Sequence, residues 1–244
     1  MRLAILSDIH GNLVALETVL ADIRARAADI VVNLGDCVTG PLWPRETLEL
    51  LDTLHLPTVR GNHDRWIAEM PPDKVSRSVS FTHDELADAQ RERLGRLPPS
   101  MEVERGILAV HGTPDSDTDY LLEDAVDGRL AMVTATVLER RLTGHDATLV
   151  LCGHSHHQHM AFVGNRLVLN PGSVGCPRYA DNEDPFIAEA GSPYAHYAIA
   201  TRRGAGWSIE MLALDYDRQH VVQRARSTGR SDWVSGFLKG MVAL

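Results

Sequence analysis

The sequence predicts an α/β fold, with a parallel βαβαβ unit first and hairpins afterwards. Three observations carry this expectation. From Leu3 to Val59, short runs rich in Val, Ile and Leu alternate with stretches of helical periodicity. Beyond His156 the texture changes to strand pairs separated by short Gly turns. Most apolar runs also end in Asp, His or Asn, at the carboxyl ends of strands, where an open α/β sheet binds ligands.

Leu3-Ala4-Ile5-Leu6 reads as a buried strand that ends at Ser7-Asp8-Ile9-His10-Gly11-Asn12. Leu13, Leu16, Val19, Leu20 and Ile23 then recur at helical spacing, with Asn12 placed as the N-cap. A second strand over 30–34 ends at Gly35-Asp36, and a second helix over 45–54 carries Leu48, Leu51 and Leu54 on one face. A third strand around Thr58-Val59 opens into a loop, Arg60-Gly61-Asn62-His63-Asp64, with a helix from Arg65. Such a pattern predicts parallel strands with right-handed crossovers. Residues 66–97 are charged, mostly helical and broken by Pro71-Pro72 and Pro98-Pro99, forming a helical excursion too small to hold its own core. Residues 101–110 form a hairpin around Arg105-Gly106 that ends at His111-Gly112, and a helix is expected over 128–142. Thr148-Leu149-Val150-Leu151-Cys152 is another buried strand, ending at Gly153-His154-Ser155-His156. Hairpins follow around Gly164-Asn165 and around residues 203–206, and 181–195 is expected to be an exposed loop rather than a lid. In the helical segment 215–244, Trp233, Phe237 and Met241 form a stripe suited to core or dimer packing, which leaves a homo-oligomer open. All of 1–244 is read as one domain.

The formal net charge of the 244 residues is -9 and no basic run stands out, which disfavours a long nucleic-acid partner. A small anionic substrate is compatible with that charge if bound cations dominate locally. The widely spaced Cys37, Cys152 and Cys176 form no CxxC and read as reduced, buried small hydrophobes, including Cys37 beside Asp36. No stretch approaches the roughly 20 apolar residues of a membrane span. With Met1-Arg2 leading directly into a strand and no targeting pattern, a soluble cytoplasmic protein is expected.

Five strand ends carry polar clusters: Asp8/His10, Asp36, Asn62/His63/Asp64, His111 and His154/His156. Their O and N donors suit first-row divalent metals. Asp-x-His and His-x-His are expected to put two donors on one side of an extended backbone, since side chains alternate with period two. The donors exceed the needs of one tetrahedral site and match two metals sharing a carboxylate, all on one edge of one sheet.

Taken together and in order, Asp8-x-His10, Gly35-Asp36, Gly61-Asn62-His63-Asp64, His111 and Gly153-His154-x-His156 resemble the signature of calcineurin-like metallophosphoesterases. Asn170-Pro171-Gly172-Ser173-Val174-Gly175 resembles the small prokaryotic phosphodiesterase branch of that family. The resemblance implies a four-layer α/β-β/α sandwich. It assigns Asp8, His10, Asp36 and His156 to one metal and Asp36, Asn62, His111 and His154 to the other, with His63 as acid and Asp64 as its carboxylate partner. The implied cofactors are two divalent transition-metal ions, Mn favoured and Fe, Zn, Ni or Co possible.

Chemistry supports such a reading. An anionic phosphodiester repels hydroxide, and two metals about 4 Å apart can lower the pKa of a bridging water and neutralise developing charge. His63 would then protonate the leaving alkoxide, provided that Asp64 keeps it charged. Phosphodiester hydrolysis is therefore expected. A phosphoprotein or dinucleoside-polyphosphate phosphatase, or an inert binding scaffold on the same fold, are the alternatives. Asn12 either caps its helix or donates to substrate phosphate, and Arg178 either grips phosphate or is a surface arginine. His157 and His159 are expected to be structural or solvent-facing.

Overall fold

The computed structural model describes residues 1–180 and 186–241. Part of the expected 181–195 loop, residues 181–185, and the end of the C-terminal segment, 242–244, lie outside the described residues. The first half runs β1 (Arg2–Leu6), α1 (Leu13–Ala25), β2 (Ile30–Asn33), α2 (Pro44–Leu54) and then three helices, α3 (Asn62–Glu69), α4 (Arg77–Glu85) and α5 (Asp88–Gly95). Two hairpins follow, β3 (Ser100–Glu104) with β4 (Ile107–Val110), and β5 (Glu123–Val126) with β6 (Arg129–Met132). Helix α6 (Ala135–Arg141) leads to β7 (Leu149–Leu151), then to the pair β8 (Gln158–Val163) and β9 (Arg166–Pro171). A short ribbon of β10 (Arg178–Ala180) and β11 (Ile187–Glu189) precedes the long pair β12 (Ala195–Arg203) and β13 (Gly206–Leu214). Helices α7 (Arg218–Ser227) and α8 (Val234–Lys239) close the described chain.

These strands form two principal sheets, ordered β13-β12-β1-β2 and β3-β4-β7-β9-β8. Pairing is parallel for β1–β2, β4–β7 and β7–β9, and antiparallel at the hairpins. Alternation along each strand builds the layers. Leu3, Ile5 and Val32 of the first sheet meet Ile107, Ala109, Leu149, Leu151 and Leu169 of the second. The other face of the first sheet, with Ala4 and Leu6, packs on Leu16, Val19, Leu20 and Ile23 of α1, Val221 of α7 and Phe237 of α8. Val110, Val150 and Val168 on the outer face of the second sheet pack on Leu138 and Leu142, in and just after α6. Helix, sheet, sheet and helix therefore stack as the expected four layers. Because both faces of β1 and β7 are covered, these strands read as unbroken apolar runs. The excursion α3–α5 is helical as expected, around Ile67, Val79, Leu86 and Leu94. No helix among the described residues is long and apolar enough to cross a membrane.

Four local expectations are corrected. The helix expected over 128–142 begins only at Ala135, because Asp127-Gly128, both with positive φ (50° and 76°), turn the chain back into the β5–β6 hairpin. The third strand reduces to one parallel bridge, Asn33 with Thr58. Within the expected loop, Ile187–Glu189 pairs with Arg178–Ala180. Finally, Asn62-His63-Asp64 is the first turn of α3 rather than a loop, since Gly61 is extended (φ -84°, ψ 169°) and caps the helix.

Helix α1 is tied to the first sheet through Asp22, which accepts from the Tyr197 hydroxyl and from Arg26 Nε (2.6 Å). Burial opposes the Asp22 charge, but these two donors outweigh it and hold the carboxyl below its ordinary value. A depressed native pKa means that the stabilisation is present above the ordinary carboxylate pKa and is lost as pH falls through the native value. Asp22→Ala should therefore lower urea-unfolding stability by about 1 kcal/mol near pH 7, and its difference from wild type should shrink below about pH 4.

Candidate metal centre

Donors come from both sheets, not from one edge of one sheet as expected: Asp8, His10 and Asp36 follow β1 and β2, and His111, His154 and His156 follow β4 and β7. Backbone bonds hold these loops together. Asp8 N donates to Gly35 O (3.1 Å), His10 N to Asp36 O (3.0 Å), Gly153 N to His111 O (2.7 Å) and Gly175 N to Asp8 O (3.0 Å). The Asn170–Gly175 segment is the inner strap, in which Asn170 Nδ2 donates to Gly153 O (2.7 Å) and Ser173 Oγ to Asp8 O (2.8 Å). Gly175 admits this approach, because a Cβ there would strike the Ile9 carbonyl.

The backbone at the donors is not extended. Asp8, His10, Asp36, His154 and His156 have φ of 55°, 50°, 54°, 68° and 61°. Left-handed turns, rather than the alternation of a strand, therefore set the direction of these side chains. Such conformations cost on the order of 1–3 kcal/mol each and persist only where the surroundings over-determine them.

Each of four imidazoles has one nitrogen against a backbone carbonyl: His10 Nδ1 on Thr39 O (2.7 Å), His111 Nδ1 on Leu34 O (2.7 Å), His154 Nε2 on Thr118 O (2.9 Å) and His156 Nδ1 on Cys176 O (2.6 Å). A carbonyl only accepts, so the proton sits on that nitrogen and the other presents a lone pair. Lone pairs then converge. His10 Nε2 lies 3.2 Å from His156 Nε2, and His111 Nε2 lies 3.0 Å from Asn62 Oδ1. Asp8 Oδ1 is buried with no hydrogen-bond partner among the described residues. Acceptors facing acceptors in a buried space require cations between them, so the residues present fit divalent metal ions.

Asp36 sits at the middle. Its Oδ2 lies 3.7 Å from His10 Nε2 and 3.5 Å from His111 Nε2. It belongs both to the donor group Asp8, His10, Asp36 and to the group Asp36, His111, His154, with ligand atoms in each group within 4.8 Å of one another. Burial opposes a charge on His111, but the Asp36 carboxylate outweighs it and lifts His111 to about 9. Burial likewise opposes the Asp8 charge, yet His156 draws Asp8 down to about 2. His10 (about 3) and His154 (about 4) are kept neutral by burial, followed by neighbouring imidazolium charge.

Asn62 and His63 lie in the first turn of α3 beside this cluster. The His63 ring is edge-on to Trp66 (centroids 4.7 Å) and to His10 (5.3 Å). The expected contact between His63 and Asp64 is not made: His63 Nδ1 has no partner among the described residues. Asp64 is buried and accepts instead from the backbone N–H groups of Asp36 (2.8 Å), Cys37 (3.0 Å) and Gly61 (3.0 Å). It props the Asp36 turn and the α3 N-terminus, because helical phase turns it away from its neighbour. Burial, reinforced by Asp36, raises Asp64 to about 7 despite those donors.

Asn12 is a cap: Oδ1 accepts from Ala15 N (3.2 Å) and Nδ2 donates to Gly175 O (3.1 Å). Arg178 opens β10 next to the centre, where its carbonyl accepts from Cys176 Sγ (3.3 Å), and it is half-buried with Nε unpartnered among the described residues. Cys37 is inert packing, its thiol pKa raised by burial. Three neighbours were missed from sequence. Cys176 groups with His10 and His156. Tyr120 stacks on His154 (4.5 Å, 20°), and Tyr179 lies 4.5 Å from His156 with its hydroxyl 2.8 Å from that of Tyr120. None of these three sits in a polar motif; only the Gly175-Cys176 adjacency to the strap hinted at one of them.

A model of the calcineurin-like phosphoesterase superfamily domain matches residues 1–191. The chain belongs to this superfamily. A metallophosphoesterase from Sphaerobacter thermophilus has a solved structure with a TM-score of 0.77 and 27% identity, over 99% of this chain and 100% of that one. The hypothetical protein PH1004 from Pyrococcus horikoshii OT3 shares the fold with a TM-score of 0.76 at 20% identity, over 99% of both chains. Uncharacterized protein MJ0912 of Methanocaldococcus jannaschii is 25% identical over 257 residues, 95% of each chain. Metallophosphoesterases bind divalent metals, and the donor groups described above are where this one offers ligands.

Since Asp64 positions the Asp36 turn, Asp64→Ala strands buried backbone donors. It should lower stability by on the order of 3 kcal/mol in denaturant unfolding and also reduce bound metal. Stability and metal content both unchanged would show that Asp64 props nothing.

Proposed function

We propose that this metallophosphoesterase hydrolyses phosphodiester bonds at a two-cation centre. The observation that carries the reading is Asp36, whose carboxylate is shared by two donor groups. Asp8, His10, Asp36 and His156 would hold one ion, and Asp36, Asn62, His111 and His154 the other. When bound, the ions supply Lewis acidity toward phosphoryl oxygens and an acidified water. Manganese is the favoured ion, with Fe, Zn, Ni or Co also suited to the N/O set.

His63 is the proposed acid toward the leaving oxygen. Burial depresses its pKa, with the Asp36 carboxylate opposing. An arriving phosphodiester anion favours the imidazolium, so the ring gains its proton with the substrate rather than from Asp64. The half-buried Arg178 stands as a phosphate contact at the rim. Preference for diesters rests on the Asn170–Gly175 segment and its likeness to the small phosphodiesterase branch. Loops from both sheets build the centre, which supports the chain working as one unit. Three buried free cysteines support a reducing, cytoplasmic compartment.

With Mn²⁺, the protein should hydrolyse bis-p-nitrophenyl phosphate, and EDTA should abolish turnover. Absence of hydrolysis with every divalent metal tried would sink the enzyme reading. His63→Ala should keep its metal content while kcat falls by ~10²–10⁴. Asn62→Ala should instead weaken one metal selectively, read by metal analysis after dialysis; a metal-depleted His63→Ala would reverse the two roles.

A further inference from the structure

One residue beyond His156 the histidine run continues, and the structure does not leave it solvent-facing. His157 Nε2 lies 2.9 Å from the Glu189 carbonyl, so that nitrogen carries the proton and Nδ1 presents the lone pair. Nδ1 is buried and meets no hydrogen-bond partner among the described residues. Nearby, the carboxylate of Glu123 is 1% exposed, and His159 Nδ1 donates to its Oε1 at 2.7 Å. The rings of His157 and His159 lie 5.5 Å apart, and one donor atom from each of the three residues falls within 4.8 Å of the other two. His157 thus resembles the four centre histidines in having one nitrogen anchored on a backbone carbonyl, and its other nitrogen is buried and unpartnered among the described residues.

We propose that Glu123, His157 and His159 form a further divalent-cation site, separate from the Asp36 centre and suited to zinc. Two imidazoles and one carboxylate are a zinc donor set that leaves the fourth position to water. The carbonyl of Glu189 supplies the outer anchor that fixes the tautomer of a ligating histidine. The site has a structural task. Its donors join β5 to β8, and the Glu189 carbonyl brings in β11. Ile187 N also donates to Gly128 O (3.2 Å) in the β5–β6 turn. Strand β11 pairs with β10, which holds Tyr179 against His156. An ion here fastens the ribbon that walls the Asp36 centre without touching substrate.

Zinc itself is the probe. The full-length protein is dialysed to equilibrium against Zn²⁺ and its metal content measured for wild type, Glu123→Gln and His159→Gln. Glu123→Gln is isosteric and His159 is 34% exposed, so both variants are chosen to fold, checked by circular dichroism. Each variant should carry one zinc per chain fewer than wild type, whatever the filling of the Asp36 centre. Folded variants with the wild-type zinc content overturn the proposal. In wild type, with no substitution, a Zn²⁺ titration should shift the ¹⁵N resonances of His157 Nδ1 and of the His159 ring. Resonances that stay in place at saturating zinc overturn it as well.

Discussion

Buried acceptors are brought face to face in this molecule, and much of its architecture follows from that. Imidazole lone pairs at His10 and His156 approach to 3.2 Å, and His111 faces an amide oxygen at 3.0 Å, with two carboxylates alongside. In a low-dielectric interior such an arrangement is repulsive unless positive charge lies within it. Burial holds His10 and His154 neutral, reinforced by neighbouring imidazolium charge, while the Asp36 carboxylate outweighs burial at His111 and raises it. Affinity for cations is thus a consequence of how the chain is forced to fold, not of any single ligand.

Holding the arrangement requires strain and stiffness. Five donors sit in left-handed backbone, and each such turn is fastened by neighbours rather than by its own preference. Loops of the first sheet bond to one another, the Asn170–Gly175 strap bonds across to the Asp8 loop, and Asp64 pins the Asp36 turn by accepting from two of its backbone N–H groups and from Gly61 N at the α3 N-terminus. The hydrophobic interlayer beneath, from Leu3 and Ile5 to Leu149 and Leu151, keeps the two sheets in the one relative position that makes these bonds possible.

The same logic separates positioning from chemistry among adjacent residues. Asn62, His63 and Asp64 share one helical turn, yet they face His111, an aromatic-lined space and a nest of backbone donors respectively. Neighbours in a first helical turn diverge by about 100° each, as 3.6 residues per turn requires. Similarly, His156 and His157 are consecutive but serve different clusters, one opposite Asp8 and the other beside Glu123.

The chain's own sequence determined the strand order along the chain, the layers that apolar alternation builds, and the donor types at strand ends. These depend on local periodicity and on residue chemistry, which are legible one segment at a time. What it did not disclose depended on contacts distant in sequence. That two sheets, not one, contribute the donors follows from packing of residues more than a hundred positions apart, such as Leu3 and Leu149. Asp64 looked like a partner of its neighbour because adjacency is all that a sequence shows, whereas the helix turned it toward Asp36 and Cys37. Asp127-Gly128 was a readable hairpin signal that helical periodicity downstream concealed. Tyr120, Tyr179 and Cys176 carry no motif, and Glu123 meets His157 and His159 only once the fold brings the start of β5 to the start of β8. Local chemistry wrote the inventory of donors; tertiary packing alone decided which of them converge, because proximity is a matter of a few ångströms in space and not of spacing along the chain.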